Sequence, residues 1–282
     1  MPNKIKFSTS SVNGSLSKGN AKVVAGGLIA GPTHVTGFYN GITPPVNGYT
    51  FYMKKEGFVE SGVILFLDAG NKSSYRDDLS STEWWDLSGY GNDGALINGV
   101  TYDGGNTGSF VFDGTNDYVK IDNVIVTSPI GLTIGGWIMK HEIGGASYET
   151  ALHHGNGTSI GASSYWFGFQ HITNNLCATI GGSVVGWSAG LTTTVAQYNT
   201  WYHICASWDG SIVKVYINGI YNKQYNLASY PNQVTPTRIG ASGDGTGYLV
   251  SGKIGEVWIY ERGLSESEIQ QNYNISKNRF GL

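Results

Sequence analysis

Two short stretches constrain this chain more than any others: DLSGYGN at 86–92 and FDGTNDY at 112–118. Each crowds Gly, Asn and Asp into a few positions and then runs into an apolar or alternating segment. These residue types accept the positive φ of tight turns, and Asx side chains bond their own backbone amides, so both stretches read as corners between strands. After the second corner Val119 and Ile121 alternate with the more polar Tyr118 and Lys120, the pattern of a half-buried strand. The same period of two recurs at Leu132, Ile134 and Gly136 and at Val213, Val215 and Ile217. Asp209 with Gly210, and Asn218 with Gly219, mark further tight corners. The run GVILFLDAG at 62–70 is apolar throughout, as expected of a strand buried on both sides.

Composition agrees with a β protein. Forty-two Gly, 18 Tyr and 8 Trp against 13% charged residues exclude the chemistry of a helix bundle. With 282 residues, a single large β body plus a smaller piece can bury roughly 70–75% of the unfolded surface. Charge is divided unevenly: up to Lys55 the chain carries six lysines and no acid, whereas the remainder holds eleven basic and twenty acidic residues. A basic arm over 1–57 thus precedes a body over 58–282 of opposite sign, and the two parts are expected to do different work. The arm is rich in Gly, Ser, Lys and Pro, with Pro44 and Pro45 breaking any regular ladder, so it reads as an extended segment. Ile5 to Phe7, Lys22 to Ala25 and Tyr49 to Met53 are its strand-like runs. Lys4, Lys6, Lys18, Lys22, Phe38, Tyr39, Tyr49 and Tyr52 are its candidate docking residues, because lysines interleaved with aromatics suit ordering against a neighbouring chain.

Ordered motifs carry two resemblances. GPTHVTGFYNGITPPVNGYT at 31–50 is similar to the N-terminal segment of structural proteins of tailed bacteriophages. That similarity implies a virion attachment arm, with capsid, tail or fibre subunits as partners, and a homo-oligomer on the virion surface. The order LFLDAGN, WWDLSGYGNDG, FVFDGTNDYV, then LTIGGWIMK at 132–140, TWYHICASWDGSIVKVYINGI at 200–220 and SGKIGEVWIYERGLSESEIQQNY at 251–273, resembles the laminin-G-like branch of the concanavalin-A-like lectin/glucanase superfamily. The resemblance covers about residue 62 to the end. It implies an all-β, two-sheet antiparallel jelly-roll sandwich, a fold that hosts enzymes, lectins and structural modules alike. One helix is readable in the residues themselves: Ser265 and Glu268 form a capping box, Leu264 and Ile269 occupy staple positions, and the helix should run over 266–274 as a plug with Ile269 and Tyr273 on the sandwich.

The chemistry-bearing residues are few. Glycosidases need two carboxylates flanking the scissile bond, about 5–5.5 Å apart for retention, and in this superfamily they alternate along a strand as E-x-D-x-E. No such spacing occurs. Asp77 with Asp78 and Glu266 with Glu268 fall in a loop and a helix start, so no catalytic residue is expected and glycoside hydrolysis stands only as a rival reading. Asp113, Asn116 and Asp117 could offer oxygens to Ca²⁺ within one turn, yet the same corner needs them for its own amides, and no cofactor is expected. His153 and His154 are adjacent, so in an extended chain they point to opposite faces, and they read as loop residues. Sugar binding uses exposed aromatic faces, for which the loop candidates are Tyr148, Tyr165, Trp166, Trp187, Tyr230 and Tyr248; Trp137, Trp201 and Trp258 lie in strand runs and read as core.

Cys177 and Cys205 sit in apolar runs and read as two buried thiols, with one disulfide as the alternative. The start MPNKIKFSTSSVNG has no apolar signal-peptide core, and no window approaches the roughly 20 apolar residues of a membrane span. Synthesis in a host cytoplasm without a signal peptide is therefore expected. The arm's lysines lack arginine partners or a recognisable module, so nucleic acid is not an expected partner. The reading that unites these features is a non-enzymatic virion structural protein, serving as capsid decoration, fibre or adhesin, whose arm docks on the particle and whose body presents loops to a host glycan. A purely shell-stabilising or oligomerising module is the alternative.

Overall fold

In a computed structural model of the chain, residues 57–77, 81–105, 108–122, 124, 126, 129–141, 148–155, 163–170, 172–231, 235–243 and 245–282 are described in full. Before residue 53 the structure describes the backbone of six short strands only. These are β1 (Ile5–Lys6), β2 (Ser15–Leu16), β3 (Ala21–Lys22), β4 (Leu28–Ala30), β5 (His34–Gly37) and β6 (Thr50–Tyr52). β1 pairs with β2, and β3 to β6 form a four-stranded sheet whose last pair is parallel. β1 and β6 fall within the expected runs Ile5 to Phe7 and Tyr49 to Met53, whereas of Lys22 to Ala25 only Lys22 lies on a strand and Val23, Val24 and Ala25 fall outside the described residues; β2, β4 and β5 were not expected. Lys6, Lys22 and Tyr52 lie on these strands, while Lys4, Lys18, Phe38, Tyr39 and Tyr49 fall outside the described residues.

The body is built from strands β7 (Val63–Asp68), β8 (Glu83–Trp84), β9 (Gly94–Ile97), β10 (Thr101–Asp103), β11 (Ser109–Asp113), β12 (Tyr118–Ile121) and β13 (Leu132–Lys140). It continues with β14 (Tyr148–Gly155), β15 (Ser163–Gln170), β16 (Asn175–Ile180), β17 (Leu191–Val195), β18 (Trp201–Trp208) and β19 (Ile212–Ile217). β20 (Ile220–Asn226), β21 (Thr237–Ile239) and β22 (Ser251–Tyr260) complete it, with helices α1 (Gly182–Val185) and α2 (Glu266–Ser276). The strands form two antiparallel sheets. Sheet I runs β10-β11-β22-β13-β18-β19-β20, with β7 pairing the C-terminal half of β22; sheet II runs β17-β16-β15-β14-β21-β12-β9-β8. This is the expected jelly-roll sandwich. The main core lies between the sheets, where Ile134, Ile204, Val215 and Val257 of sheet I meet Val119, Leu152, Phe167 and Ile239 of sheet II.

The corners work as their composition requires. Asp86 is fully buried, and its carboxylate accepts from the amides of Phe66 (2.9 Å), Ser88 (2.9 Å) and Asn92 (3.1 Å) and from Ser88 Oγ (2.6 Å). Asn92 Nδ2 donates to the Ile64 carbonyl at 2.7 Å, so the corner is stitched onto β7. Burial nevertheless pushes the Asp86 carboxyl above its ordinary range, outweighing these bonds. At the second corner Asp113 accepts from the amides of Thr115 (2.7 Å) and Asn116 (3.4 Å), and Asp117 from that of Asp113 (3.1 Å). Asn218 and Gly219, with φ of 51° and 73°, form the two-residue turn that twists β19 into β20.

Sheet I is covered on its outer side as well. Phe66, Trp258 and Tyr260 point away from the core and are sealed by Phe58, Leu264 and Ile269; Phe58 stacks on Phe66 with ring centroids 4.2 Å apart. Helix α2 extends two residues beyond the expected 274. Its capping box is formed, Glu268 N donating to Ser265 Oγ (3.4 Å) and Ser265 N to Glu268 Oε2 (2.9 Å), and Leu264 and Ile269 close the staple in one apolar cluster. Tyr273 stacks on Trp137 at 5.8 Å, and Phe280 on Trp137 at 4.3 Å. Further on, Arg279 is held by Asp68, by Glu256 (2.9 Å) and by the Gly108 carbonyl (2.7 Å). Trp137, Trp201 and Trp258 are buried as expected, although they lie beneath this C-terminal cover rather than between the sheets.

Among the described residues one ion pair crosses between the sheets. Lys140, ending β13, and Glu149, near the start of β14, meet at 2.9 Å with no solvent exposure. Losing one partner of such a pair strands the other, so Lys140→Met should lower unfolding stability by about 3–5 kcal/mol in urea melts, and the double change Lys140→Met/Glu149→Leu should recover most of it. A second expectation concerns pH. The Arg262 fork, assisted by Ser265, holds the Glu268 carboxyl at about 2 against an ordinary 4.5. A carboxyl lowered on folding stabilises fully above its unfolded pKa and loses that contribution as pH falls through its folded one. Acid titration from pH 5 to 2 should therefore weaken the body by about 1 kcal/mol through this group, and Glu268→Gln should flatten that part of the profile.

Candidate aromatic face of sheet II

Sheet II also has an outward side, and its strands show how it is furnished. In β15 Tyr165, Phe167 and Phe169 turn into the main core, so Ser164, Trp166, Gly168 and Gln170 turn out. Register carries this parity to the neighbouring strands: Thr150 faces Gly168 and His153 faces Trp166 on β14, while Cys177 faces Gly168 and Thr179 faces Trp166 on β16. A β-bulge between Thr150 and Leu152 shifts the phase of β14. Gly168 sits where that bulge presses in, and a Cβ there would come within 2.0 Å of the Glu149 carbonyl oxygen.

On this face Trp166 and Cys177 form a buried cluster against which Tyr148, Trp187, Leu191 and Tyr248 pack half-exposed. The Tyr148 ring lies 4.6 Å from Trp187, 5.7 Å from Tyr248 and 6.3 Å from Trp166, each at a steep angle. Two loops bring these rings in. The α1 loop is tied down by its Trp187 carbonyl, which accepts from Thr179 Oγ1 (2.7 Å) and Cys177 Sγ (3.5 Å). The loop before β22 is tied through its Tyr248 carbonyl, which accepts from Thr150 N at 2.8 Å. Tyr248 has φ of 50°, a left-handed backbone that is unusual for so bulky a residue. Strain of this kind collects at ligand clamps and switch regions. Burial raises the Tyr148 phenol and pushes the Cys177 thiol up to about 12.

The structure thus brings together four of the six aromatic candidates and separates two. Tyr165 is not a loop residue: it lies in β15, fully buried on the inward side, stacked on His154 at 4.9 Å, and its hydroxyl meets Thr237 Oγ1 at 3.3 Å. Trp166 also belongs to a strand, and forms the floor of the face rather than an exposed platform. Tyr230 stacks on Trp208 at 6.1 Å and packs against the main core. His153 and His154 do point to opposite faces, but both are buried in β14 and not in a loop. Thr150, Cys177 and Thr179, which complete the face, had no signature of their own in the sequence. Asp113 and Asp117 spend oxygens on their own turn, and among the described residues no group of three or more His, Cys, Asp and Glu could hold a metal ion. Nor is any helix there long and apolar enough to cross a membrane.

A family model described as the concanavalin A-like lectin/glucanases superfamily matches residues 113–270. The chain belongs to that superfamily. No curated protein matches its sequence. Among solved structures, domain 4 of AbnA, an extracellular arabinanase of Geobacillus stearothermophilus in complex with arabinotriose, is similar with TM-score 0.55 and 18% identity, over 76% of this chain and 98% of that domain. A Trypanosoma rangeli sialidase is similar with TM-score 0.55 and 15% identity over 79% of this chain, which spans 34% of the sialidase. The botulinum neurotoxin serotype D binding domain follows with TM-score 0.54 and 15% identity, over 77% of this chain and 52% of that one. At these identities the likeness is one of fold.

Both thiols are free and buried, and burial raises each above its ordinary pKa. Neither should react with a disulfide reagent at pH 8 in the native protein, and both should titrate once guanidinium unfolds it; a fast native reaction at Cys177 would show that the face opens spontaneously.

Proposed function

We propose that the chain is a non-enzymatic structural protein of a tailed-bacteriophage virion, in which the basic arm docks on the particle and the outward side of sheet II binds a host glycan. The observation that carries the glycan reading is the cluster of Tyr148, Trp187 and Tyr248 over Trp166, set on the one sheet face that the C-terminal segment does not seal. Sugar rings present C–H faces that stack on aromatic side chains, and grouped half-exposed rings are the surface such ligands use. Superfamily membership and the arabinotriose held by the similar arabinanase domain are in keeping with this reading. The virion part rests on the resemblance of residues 31–50 to phage structural proteins. It is supported by the way the chain joins the body. Val59 N bonds Asn272 Oδ1 at 2.9 Å and Gln271 Nε2 bonds the Gly57 carbonyl at 2.6 Å, so the arm meets the body on the α2 side, opposite the aromatic face.

The non-enzymatic part is supported by where the buried carboxylates are spent. Glu149 is paired with Lys140, Asp68 and Glu256 with Arg279, Asp86 with the amides of its corner and Asp117 with the Asp113 amide, so each of these five is spent away from the aromatic face. On a glycan array the full chain should bind, Tyr148→Ala and Trp187→Ala should each lower affinity at least about tenfold with little change in melting temperature, and a chain lacking residues 1–57 should bind glycans yet fail to join particles. Array silence together with lowered heat resistance of particles lacking the protein would instead indicate a shell-stabilising module, and polysaccharide cleavage by the purified protein would indicate a hydrolase.

A further inference from the structure

Beneath the aromatic rim two polar atoms are buried with nothing to bond. Trp166 Nε1 and Thr150 Oγ1 have no hydrogen-bond partner among the described residues, and both side chains belong to fully buried residues. Register places them together. Thr150 and Cys177 flank Gly168 from the two neighbouring strands, and the Trp166 ring both packs on Cys177 and reaches within 6.3 Å of Tyr148. Tyr148 stands opposite Gln170, two residues beyond Gly168, so the indole must run along β15 across the bare glycine, with Thr150 on one side and Cys177 on the other. Folded proteins rarely leave such groups unpaired, because burying a polar atom without a partner forfeits its bond to water. Other buried polar atoms among the described residues of the body also lack a partner, Trp84 Nε1 and Ser109 Oγ for example, but these two lie under the half-exposed rings of one face, where an incoming ligand would meet them.

The chemistry of the two atoms describes the missing group. An indole N–H only donates, whereas a threonine hydroxyl donates and accepts. A single hydroxyl satisfies both, its oxygen accepting from Trp166 Nε1 and its hydrogen passing to Thr150 Oγ1. Strands β14, β15 and β16 carry no Lys or Arg, and the cations of the flanking strands are engaged, Lys223 with the Leu191 carbonyl at 2.9 Å and Arg238 with the Thr237 carbonyl and the Tyr118 ring, so burying a carboxylate here would cost far more than burying a neutral hydroxyl. We propose that Trp166 Nε1 and Thr150 Oγ1 form a specificity slot that takes one hydroxyl of a neutral sugar, delivered by a ring stacked on Tyr148, Trp187 and Tyr248, and that the slot discriminates against acidic sugars such as sialic acid. This rests on the glycan-binding reading of the same face. Trp166 is fully covered, so the hydroxyl arrives only as the rim rings move aside.

Thr150→Val is the decisive variant, since it removes the hydroxyl while keeping the shape. With calorimetric titration of arabinotriose, lactose, maltotriose and 3′-sialyllactose as probes, wild type should bind at least one neutral sugar more tightly than the sialylated one. Thr150→Val should leave the melting temperature unchanged or raised and weaken that binding about tenfold or more. Thr150→Ser should restore it, and Trp166→Phe, with its own melting curve as control, should reproduce the loss. Should Tyr148→Ala abolish binding while Thr150→Val and Trp166→Phe bind as wild type, the slot is refuted and the aromatic face survives. A preference for 3′-sialyllactose refutes the neutral-sugar assignment. Binding of no probe by wild type overturns the slot together with the glycan reading on which it depends.

Discussion

Strand β22 has no side left for solvent. From Gly252 to Tyr260 nearly every residue is buried, with Ile254, Val257 and Ile259 turned toward the opposite sheet and Glu256, Trp258 and Tyr260 turned away from it. A strand of that kind at the middle of a sheet requires a cover on both faces. The second cover is supplied by the chain after Tyr260: α2 lies over Trp258 and Tyr260, and Ser276 and Arg279 reach Glu256. Among the described residues sheet II receives no equivalent, and the cover on its outward side comes from its own loops, which bring rings rather than a helix. The difference between a sealed face and an aromatic one therefore begins with the burial demanded by one strand.

How far this was readable in the sequence depended on the kind of signal. Alternation at Val119 and Ile121 and at Val213, Val215 and Ile217 named core positions, because one side of those strands is polar. The continuous run at 62–70 announced a strand buried on both sides, and Ser265 with Glu268 announced the helix start, since both are local patterns. The aromatic face was legible only in part. In SSYWFGFQ, the whole of β15, aromatic rings fall on both sides, so nothing in its central YWF separates the inward Tyr165 from the outward Trp166. The bulge that sets the phase of β14 depends on tertiary packing against Gly168, and without that phase neither His153 nor Thr150 could be assigned a side. The Lys140 and Glu149 pair was hidden for the same reason, as it is made by two sheets meeting rather than by residues within one element.

Local rules are broken most openly where the face is built. At the corners polar atoms are spent with economy: the Asp86 carboxylate takes four donors, and Asn92 ties its corner to β7. Around Trp166 the chain instead keeps a left-handed tyrosine at Tyr248 and two unbonded polar groups within a few residues' reach. Natural sequences tend to concentrate such departures where function outweighs stability.

The positions of the two ends of the body bear on how it would carry a pull. Gly57 and Val59 are tied to α2 on the outer side of sheet I, while Tyr148 and Trp187 stand on the outer side of sheet II. Tension applied between those points runs through the thickness of the sandwich, from the stacked Phe58 and Phe66 into β7 and β22, across the interdigitated core, and out through β14 and β15. No single ladder of backbone bonds can be unzipped one rung at a time along that line, so the assembly would resist as a block, with many side chains sharing the strain at once.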